Sequence, residues 1–243
     1  MTGAASLARA IAATWPPSGE HALGPFAVPS ADGGGRRVSA ARLRDPSGDG
    51  AEVTQAEVAA LAEAQAAEGR AALCMVFGWQ RPLAERLAEA GYAVRDRTDM
   101  LAAPIADIAA PPPPVSCFAT WPPLAVTEEI WAEGGVGPER VAVMQRVRGA
   151  KTSLLGRTAD RPAGAAFVAV DPPWAMLHAL EVRPGARRQG LARLMVRAAA
   201  HWAGGEGAEQ LAVLVTRDNA PAQALYAALG LRAIGHYHYR AKP

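Results

Sequence analysis

The sequence predicts a mixed α/β protein, and three stretches carry that expectation. Residues 73–77, 177–182 and 211–216 are short apolar runs of strand length, each followed by a segment with apolar residues at helical spacing. After the first run a helix opens at Pro82, with Leu83 and Leu87 inward and Gly91 as its stop. After the second comes a helix whose apolar face is Leu191, Leu194, Met195, Ala198 and Trp202; after the third, one carrying Leu225 and Tyr226. Strands alternating with helices build a sheet covered by helices. With 243 residues, 50% of them hydrophobic, the chain can bury a large core in one big domain or two small ones.

Taken in order, residues 6–15 have helical spacing and stop at Pro16-Pro17. Residues 24–28 and 37–43 are strand candidates joined by the glycine-rich turn Asp32-Gly33-Gly34-Gly35-Arg36. A glycine run beside arginines suggests a phosphate loop, but the Lys-Ser/Thr ending is missing and no helix is expected directly after it, so a hairpin turn fits better. Thr54 and Glu57 form a capping box that opens a helix with Val58, Leu61, Ala62 and Gln65 inside and Gly69 at its end. Residues 92–100 read as a returning strand, and the prolines at 111–114 form a stiff extended break. The boundary falls there, giving units of 1–110 and 115–243. The second unit reads as a strand at 116–121, helices at 126–132 and 138–147, a hairpin of 152–155 and 164–170, and the two strand and helix stretches that begin at 177 and 211. A strand pair around 234–240 ends it.

Composition narrows the function. Charged residues are 20% of the chain and the formal net charge is +2, so no long-range field draws it to nucleic acid. Cys74 and Cys117 sit in apolar runs without metal-ligand spacing, which points to a reducing cytoplasm and a metal-free protein. No stretch reaches the roughly 18 apolar residues of a membrane helix, and no secretory signal pattern is visible at the start. A basic patch over 183–197 leaves nucleic-acid binding as a reading that salt-sensitive DNA binding would support. A homodimer fits the sequence as well as a monomer does.

The segment from Leu177 to Ala192 is a buried strand, a tight basic turn and a helix start. The first N–H groups of a helix have no intrahelical partner, and the aligned peptide dipoles place partial positive charge there. Gly190 lets a ligand approach the backbone, Ala192 adds almost no bulk, and Arg187 and Arg188 add countercharge, so a phosphate or pyrophosphate should sit on this turn. The pattern Arg187-x-x-Gly190-x-Ala192 after a strand resembles the pyrophosphate signature of the GNAT superfamily, the acyl-CoA-dependent N-acyltransferases. Residues 219–231, Asn219-x-x-Ala-x-x-Leu225-Tyr226-x-x-x-Gly230-Leu231, resemble the family's second signature, with Leu231 where Phe is usual. The resemblance covers residues 115 to 243 and implies the GNAT fold there. The first unit echoes it: a buried strand, Pro82 and Gly91-Tyr92 parallel a buried strand, Pro221 and Gly230-Leu231, with Leu87 in the slot of Tyr226 and Gln80 in that of Asn219. A degenerate copy, with acidic Asp49 and Glu52 where the second unit has arginines, would repel phosphate and serve as a packing partner or a wall of the acceptor pocket. Strand and helix units also look alike by chance.

The resemblance implies acetyl-CoA as co-substrate and direct attack of an amine on its thioester. The amides of Leu180 and Val182 would pair with the pantetheine arm, those of Arg188, Gln189, Gly190, Leu191 and Ala192 would hold the pyrophosphate with Arg187 beside them, and Asn219 would reach the pantetheine portion. Tyr226 is the candidate acid for the departing thiolate; the alternative is a tyrosine packed between helix and sheet. His178 is the candidate base, on a strand that also resembles that of arylalkylamine N-acetyltransferases, or else a core histidine. By strand alternation Met176, His178 and Leu180 share a face, with Glu181 opposite unless a bulge re-aims it. Glu128 and Glu129 are candidates for recognising a cationic acceptor, and His236 and His238 for lining its pocket. The acceptor itself is an amine that no motif identifies. A non-catalytic acyl-CoA sensor or partner-binding module is the alternative function.

Overall fold

The computed structural model describes residues 3–30 and 33–242. Its centre is one eight-stranded sheet, and helices cover both faces. The first half contributes α1 (Gly3–Thr14), the strands β1 (Glu20–Leu23), β2 (Phe26–Pro29) and β3 (Arg42–Leu43), and the short helix α2 (Arg36–Ser39) between the last two. Then come α3 (Gln55–Ala67), β4 (Ala72–Phe77), α4 (Arg81–Glu89), β5 (Ala93–Pro104) and α5 (Ile105–Ile108). The second half runs β6 (Cys117–Thr120), α6 (Ala125–Glu133), α7 (Pro138–Arg146), β7 (Lys151–Thr158), β8 (Arg161–Asp171) and β9 (Trp174–Val182). After a 3-10 turn at Pro184–Ala186 it closes with α8 (Leu191–Gly205), β10 (Gln210–Thr216), α9 (Ala220–Ala228) and β11 (Arg232–Lys242).

Local chemistry sets several of these boundaries. The Thr54 hydroxyl accepts from the Glu57 amide while the Glu57 carboxylate accepts from the Thr54 amide, so the expected capping box opens α3. Prolines at the first turn open α4 and α9, where the missing N–H costs nothing. The Ala163-to-Val170 run of β8 is buried throughout because α8 packs on one face of the sheet and α1 and α6 on the other.

The strand order is β4-β11-β5-β10-β9-β8-β7-β6, with a separate sheet of β1-β2-β3. Among the described residues, only β9 and β10 run parallel within the large sheet. The second half carries the expected order of strands and helices, but its part of the sheet is not self-contained. β5, from the first half, lies between β10 and β11 and pairs antiparallel with both. β11 in turn pairs with β4 of the first half. Matching β4 with β10 and β5 with β11, the order β4-β11-β5-β10 reads the same from either end, as two halves that exchange their last strands would produce. The hydrophobic cores cross the 111–114 break as well, with Leu101, Ala103, Ile105 and Ile108 packing under α8. The strand pair expected around 234–240 is one continuous strand, because β11 needs its whole length to reach both neighbours.

Two smaller expectations also change. The two expected strands do pair, β2 antiparallel with β3, but α2 lies in the connection that holds the glycine run, and the tight turn is at Gly24 and Pro25, between β1 and β2. Residues 36–39 of the expected second strand are the helix α2, so a helix does follow the glycines directly, with Gly35 preceding its first residue. The Asp32 part of that turn lies outside the described residues. Among the described residues no helix is long and apolar enough to cross a membrane, and no three His, Cys, Asp or Glu side chains gather where they could hold a metal.

The exchange predicts how the halves behave when separated. Expressed alone, residues 115–243 would expose a long edge of β10 and strip β11 of both neighbours. The fragment should lack a cooperative thermal transition by circular dichroism and recover one when residues 1–110 are co-expressed. A monomeric fragment that unfolds cooperatively would contradict this.

Candidate active site

The site grows from an irregularity in β9. This strand pairs with β10 from Trp174 to Leu177, opposite Gln210 to Val213, and no further, although β10 continues to Thr216. From His178 onward the β10 side of β9 is open. On the other side, His178 faces Phe167 and Glu181 faces Ala165, so two β9 residues, Ala179 and Leu180, stand against one β8 residue, Ala166. Ala179 takes φ 49, left-handed backbone rarely adopted by alanine, as such a bulge requires. The bulge shifts the alternation by one residue. Leu180 crosses to the α8 side, where it packs with that core, and Glu181 comes to the face of His178. The expected sharing of a face by His178 and Leu180 is thereby corrected. Glu181 is half-buried, and a Cβ at Gly134 would come within 2.6 Å of its carboxylate carbon, so the glycine makes room for it.

Below Glu181 the chain makes the basic turn. Arg187 Nε donates to the carbonyl of Val182 at 2.9 Å and Gln189 Nε2 to that of Gly185 at 3.0 Å, bracing the turn from within. Gly190 caps α8 with φ 84, backbone that suits glycine, and a Cβ there would meet nothing within 4 Å. Residues 187–190 are all exposed, no side chain caps α8, and its first turn has no acidic residue. The amide groups at this helix start are therefore free to receive an anion. The side chain of Leu191 turns into the core, so that residue can offer only its backbone. A cleft of 610 Å³ rises from this turn between α8 and α9, walled by Leu180, Val182, Ala192, Pro221 and Leu225 among others, with Glu181 and Tyr226 at its upper end.

On α9, Asn219 Oδ1 accepts from the Ala222 amide at 3.2 Å and caps the helix. Tyr226 is buried at 7% exposure, and its phenol is pushed up to about 12 by that burial first and by the charge of Glu181 second. Among the described residues its hydroxyl makes no hydrogen bond, which leaves its donor free. Burial likewise holds the Glu181 carboxyl above its ordinary range, with Arg187 and Arg140 pulling in the other direction.

A second cavity, of 410 Å³, opens on the other side of Glu181. It shares Leu180, Glu181, Asn219, Ala222 and Tyr226 with the first, so the two meet at the carboxylate and the phenol. Its far walls come largely from the first half: Trp15 at the end of α1, Arg36 and Arg37 on α2, Asp96 and Thr98 on β5. From the second half come Arg140, Tyr237 and Tyr239.

His178 lies at 5% exposure with both ring nitrogens engaged. Its Nδ1 is 3.1 Å from Nη1 of Arg37, which can only donate; its Nε2 is 3.1 Å from the hydroxyl of Thr14, which donates to the carbonyl of Ala10. These partners fix a neutral ring with its proton on Nε2. Burial and the Arg37 charge hold its pKa well below the ordinary histidine value. The geometry leaves no lone pair for an acceptor's proton, so the expected base is a buried spacer between α1 and α2. His236 and His238 also fall away from the site: the same alternation that pairs them puts Tyr237 and Tyr239 into the cavity instead. Glu128 and Glu129 are exposed on α6, outside either cavity.

Trp15, Arg37, Arg140 and the two tyrosines carried no motif, and Glu181 was reachable only through the bulge. Nothing in the local sequence around Ala179 marks that bulge.

Comparison with known proteins agrees with this architecture. Residues 107–231 match the Acetyltransferase (GNAT) family. A GCN5-related N-acetyltransferase from Kribbella flavida superposes with a TM-score of 0.80 at 22% identity, covering 100% of this chain and 96% of that one. A putative GNAT acetyltransferase from Novosphingobium aromaticivorans gives 0.58 at 17% identity, over 91% and 89% of the two chains. A tandem GNAT protein from the clavulanic acid biosynthesis pathway gives 0.62 at 17% identity, over 84% of this chain and 74% of that one. No curated protein matches by sequence. With its family match spanning just over half of its length, from the linker through the second signature, the chain belongs to the GNAT acetyltransferase family.

Proposed function

We propose that the chain is an N-acetyltransferase that moves an acetyl group from acetyl-CoA to a primary amine by direct attack. The observation that carries this is the meeting of the two cavities at Glu181 and Tyr226. The 610 Å³ cleft has the features a coenzyme A arm needs: an open helix start for the diphosphate, unpaired amides along Leu180 and Val182, and an apolar wall from α9. Arg187 braces the turn and lends charge, Arg188 is fully available, and Asn219 serves by capping the helix that bears Tyr226.

The amine enters from the other cavity. Glu181 takes its proton, directly or through water, and burial has raised this carboxyl toward the range useful to a base. The N–C bond forms as the C–S bond breaks, and the thiolate leaves against the Tyr226 hydroxyl. A phenol near 12 is a weaker acid than a thiol of about 8.5. Tyr226 therefore works as a neutral hydrogen-bond donor to the thiolate, and the proton the thiol finally keeps comes from the amine by way of Glu181 or solvent. His178 acts by position, holding Arg37.

The first half, read as a copy that has lost its cofactor site, keeps the task of walling the acceptor cavity and completing the sheet. Its Cys74 thiol and that of Cys117 are free, and burial pushes them up to about 12 and about 11, which suits inert thiols in a reducing cytoplasm.

Thiol release from acetyl-CoA with a panel of amines tests the reading. A non-catalytic acyl-CoA sensor would bind acetyl-CoA and release no thiol above background with any of them. Gly190→Glu tests the cofactor seat, since it puts bulk and negative charge where the diphosphate belongs and forces a side chain onto φ 84. Affinity for acetyl-CoA by calorimetry should fall at least about 100-fold, the scale of losing charge-assisted bonds from backbone amides. Unchanged affinity with an intact fold would move the diphosphate elsewhere.

A further inference from the structure

The 410 Å³ cavity holds more positive charge than the acyl transfer uses. Arg36 is neutralised by its ion pair with Asp96 across the rim. Arg37 is not. It stacks over the Trp15 ring at 5.5 Å, and Nη1 is spent on the neutral His178, while Nε and Nη2 make no hydrogen bond among the described residues. A guanidinium that gives one donor to a neutral imidazole and rests on an indole is fixed in orientation but uncompensated in charge. Arg140 lines the same cavity from α7, its guanidinium beside Gly35 at the start of α2, and has neither an ion pair nor a side-chain hydrogen bond among the described residues. Its charge reaches the Glu181 carboxylate, which places it on the same side of the cavity as the reacting groups. The remaining titratable wall is Glu181 itself, neutral His178 and the tyrosines, of which Tyr239 is held protonated by burial.

We infer that the acceptor is a small amine that also carries a carboxylate, its anion received by Arg37 and Arg140 while its nitrogen faces Glu181. This rests on the acyl-transfer reading for the nitrogen and on the cavity alone for the carboxylate. The volume lies in the range of small-molecule sites, about 300–1,000 Å³. A dicationic amine would meet two unpaired guanidiniums; an amino acid brings a countercharge and leaves its amine for the base. His178 and Thr14 are positioning residues here: the relay from the Ala10 carbonyl through Thr14 and His178 holds the Arg37 fork in place.

The test pairs each of a set of α-, β- and γ-amino acids with its own primary amide, which has the same shape without the charge. The amine of an α-amino amide is less basic and more often unprotonated, so a preference for the acid must come from the protein. Wild-type kcat/KM should favour acids over amides, and Arg37→Gln and Arg140→Gln should each reduce that ratio by about 10- to 100-fold, the size of a lost charged hydrogen bond. Arg37→Lys, which keeps the charge and loses the fork, should fall between. A second arm needs no turnover: calorimetry of N-acetyl amino acids and N-acetyl amino amides should show acid-selective binding that Arg37→Gln abolishes. Because Arg37 also braces α2, Arg140→Gln on the exposed rim supplies the variant that leaves the fold intact. Amides turned over as well as acids would overturn the inference and keep the acyl transfer. Acid-selective binding without thiol release from any amine would keep the carboxylate site and sink the acyl transfer. Neither binding nor turnover of any acid would end the inference, and the acyl transfer falls with it only if no amine of any kind releases thiol.

Discussion

Glu181→Gln should lower kcat by about 100- to 10,000-fold, the usual worth of a positioned general base, and leave acetyl-CoA affinity near the wild-type value. The amide is nearly isosteric, so the contact with Gly134 survives and only the capacity to take a proton is lost. The sign of the pH dependence follows from the environment. Burial raises the folded pKa of Glu181, with Arg187 and Arg140 opposing, so the base form is lost as pH falls through a value above the ordinary carboxylate range of about 4.3. Wild-type kcat/KM should climb on that acid limb and level above it; the variant should show no such limb. A second readout comes from Tyr226, whose phenol Glu181 helps to raise. Removing the charge should bring the phenol down, observable by ultraviolet titration, while burial keeps it above 10. Wild-type turnover with an unchanged acid limb would exclude Glu181 as the base.

The parts of this site that could be read from the sequence are the ones built by neighbours along the chain. The basic turn and the start of α8 depend on a run of six residues, and Tyr226 sits one helical stretch from the asparagine that caps its helix, so spacing alone reaches them. Glu181 was out of reach because alternation is a rule about ideal strands. A single left-handed alanine at 179 reverses it, and alanine, unlike glycine, gives no notice of that conformation. His178 stayed open between two readings for another reason. A histidine beside a cleft looks the same in sequence whether its nitrogens are free or bound, and the groups that bind it, Thr14 and Arg37, lie more than a hundred residues away. The exchange of β5 and β11 has the same origin. Each is a plausible last strand for its own half, and only the sheet decides that each sits beside the other half's strand. The choice of tyrosines over histidines on β11 was open by alternation, which yields two faces without saying which one meets the cavity.

Tyr226→Phe should reduce kcat by about 10- to 1,000-fold, the effect of losing one donor aimed at a developing anion, with little change in the KM or Kd for acetyl-CoA. The ring stays in the α9 packing and only the hydroxyl is removed. That hydroxyl has no hydrogen-bond partner among the described residues, so its loss breaks no bond in the resting protein and the thermal midpoint should hold or rise slightly. A drop in turnover at constant stability and constant cofactor affinity then belongs to the reaction. Single-turnover rates should fall by the same factor as kcat, because departure of the thiolate and not product release is what the phenol assists. The acid limb assigned to Glu181 should persist in this variant and shift slightly, since phenylalanine leaves the carboxylate without a neighbouring hydroxyl. If turnover stays at the wild-type level, Tyr226 is a packing residue of α9, and the thiolate must leave unassisted or against a backbone amide of the open edge of β9.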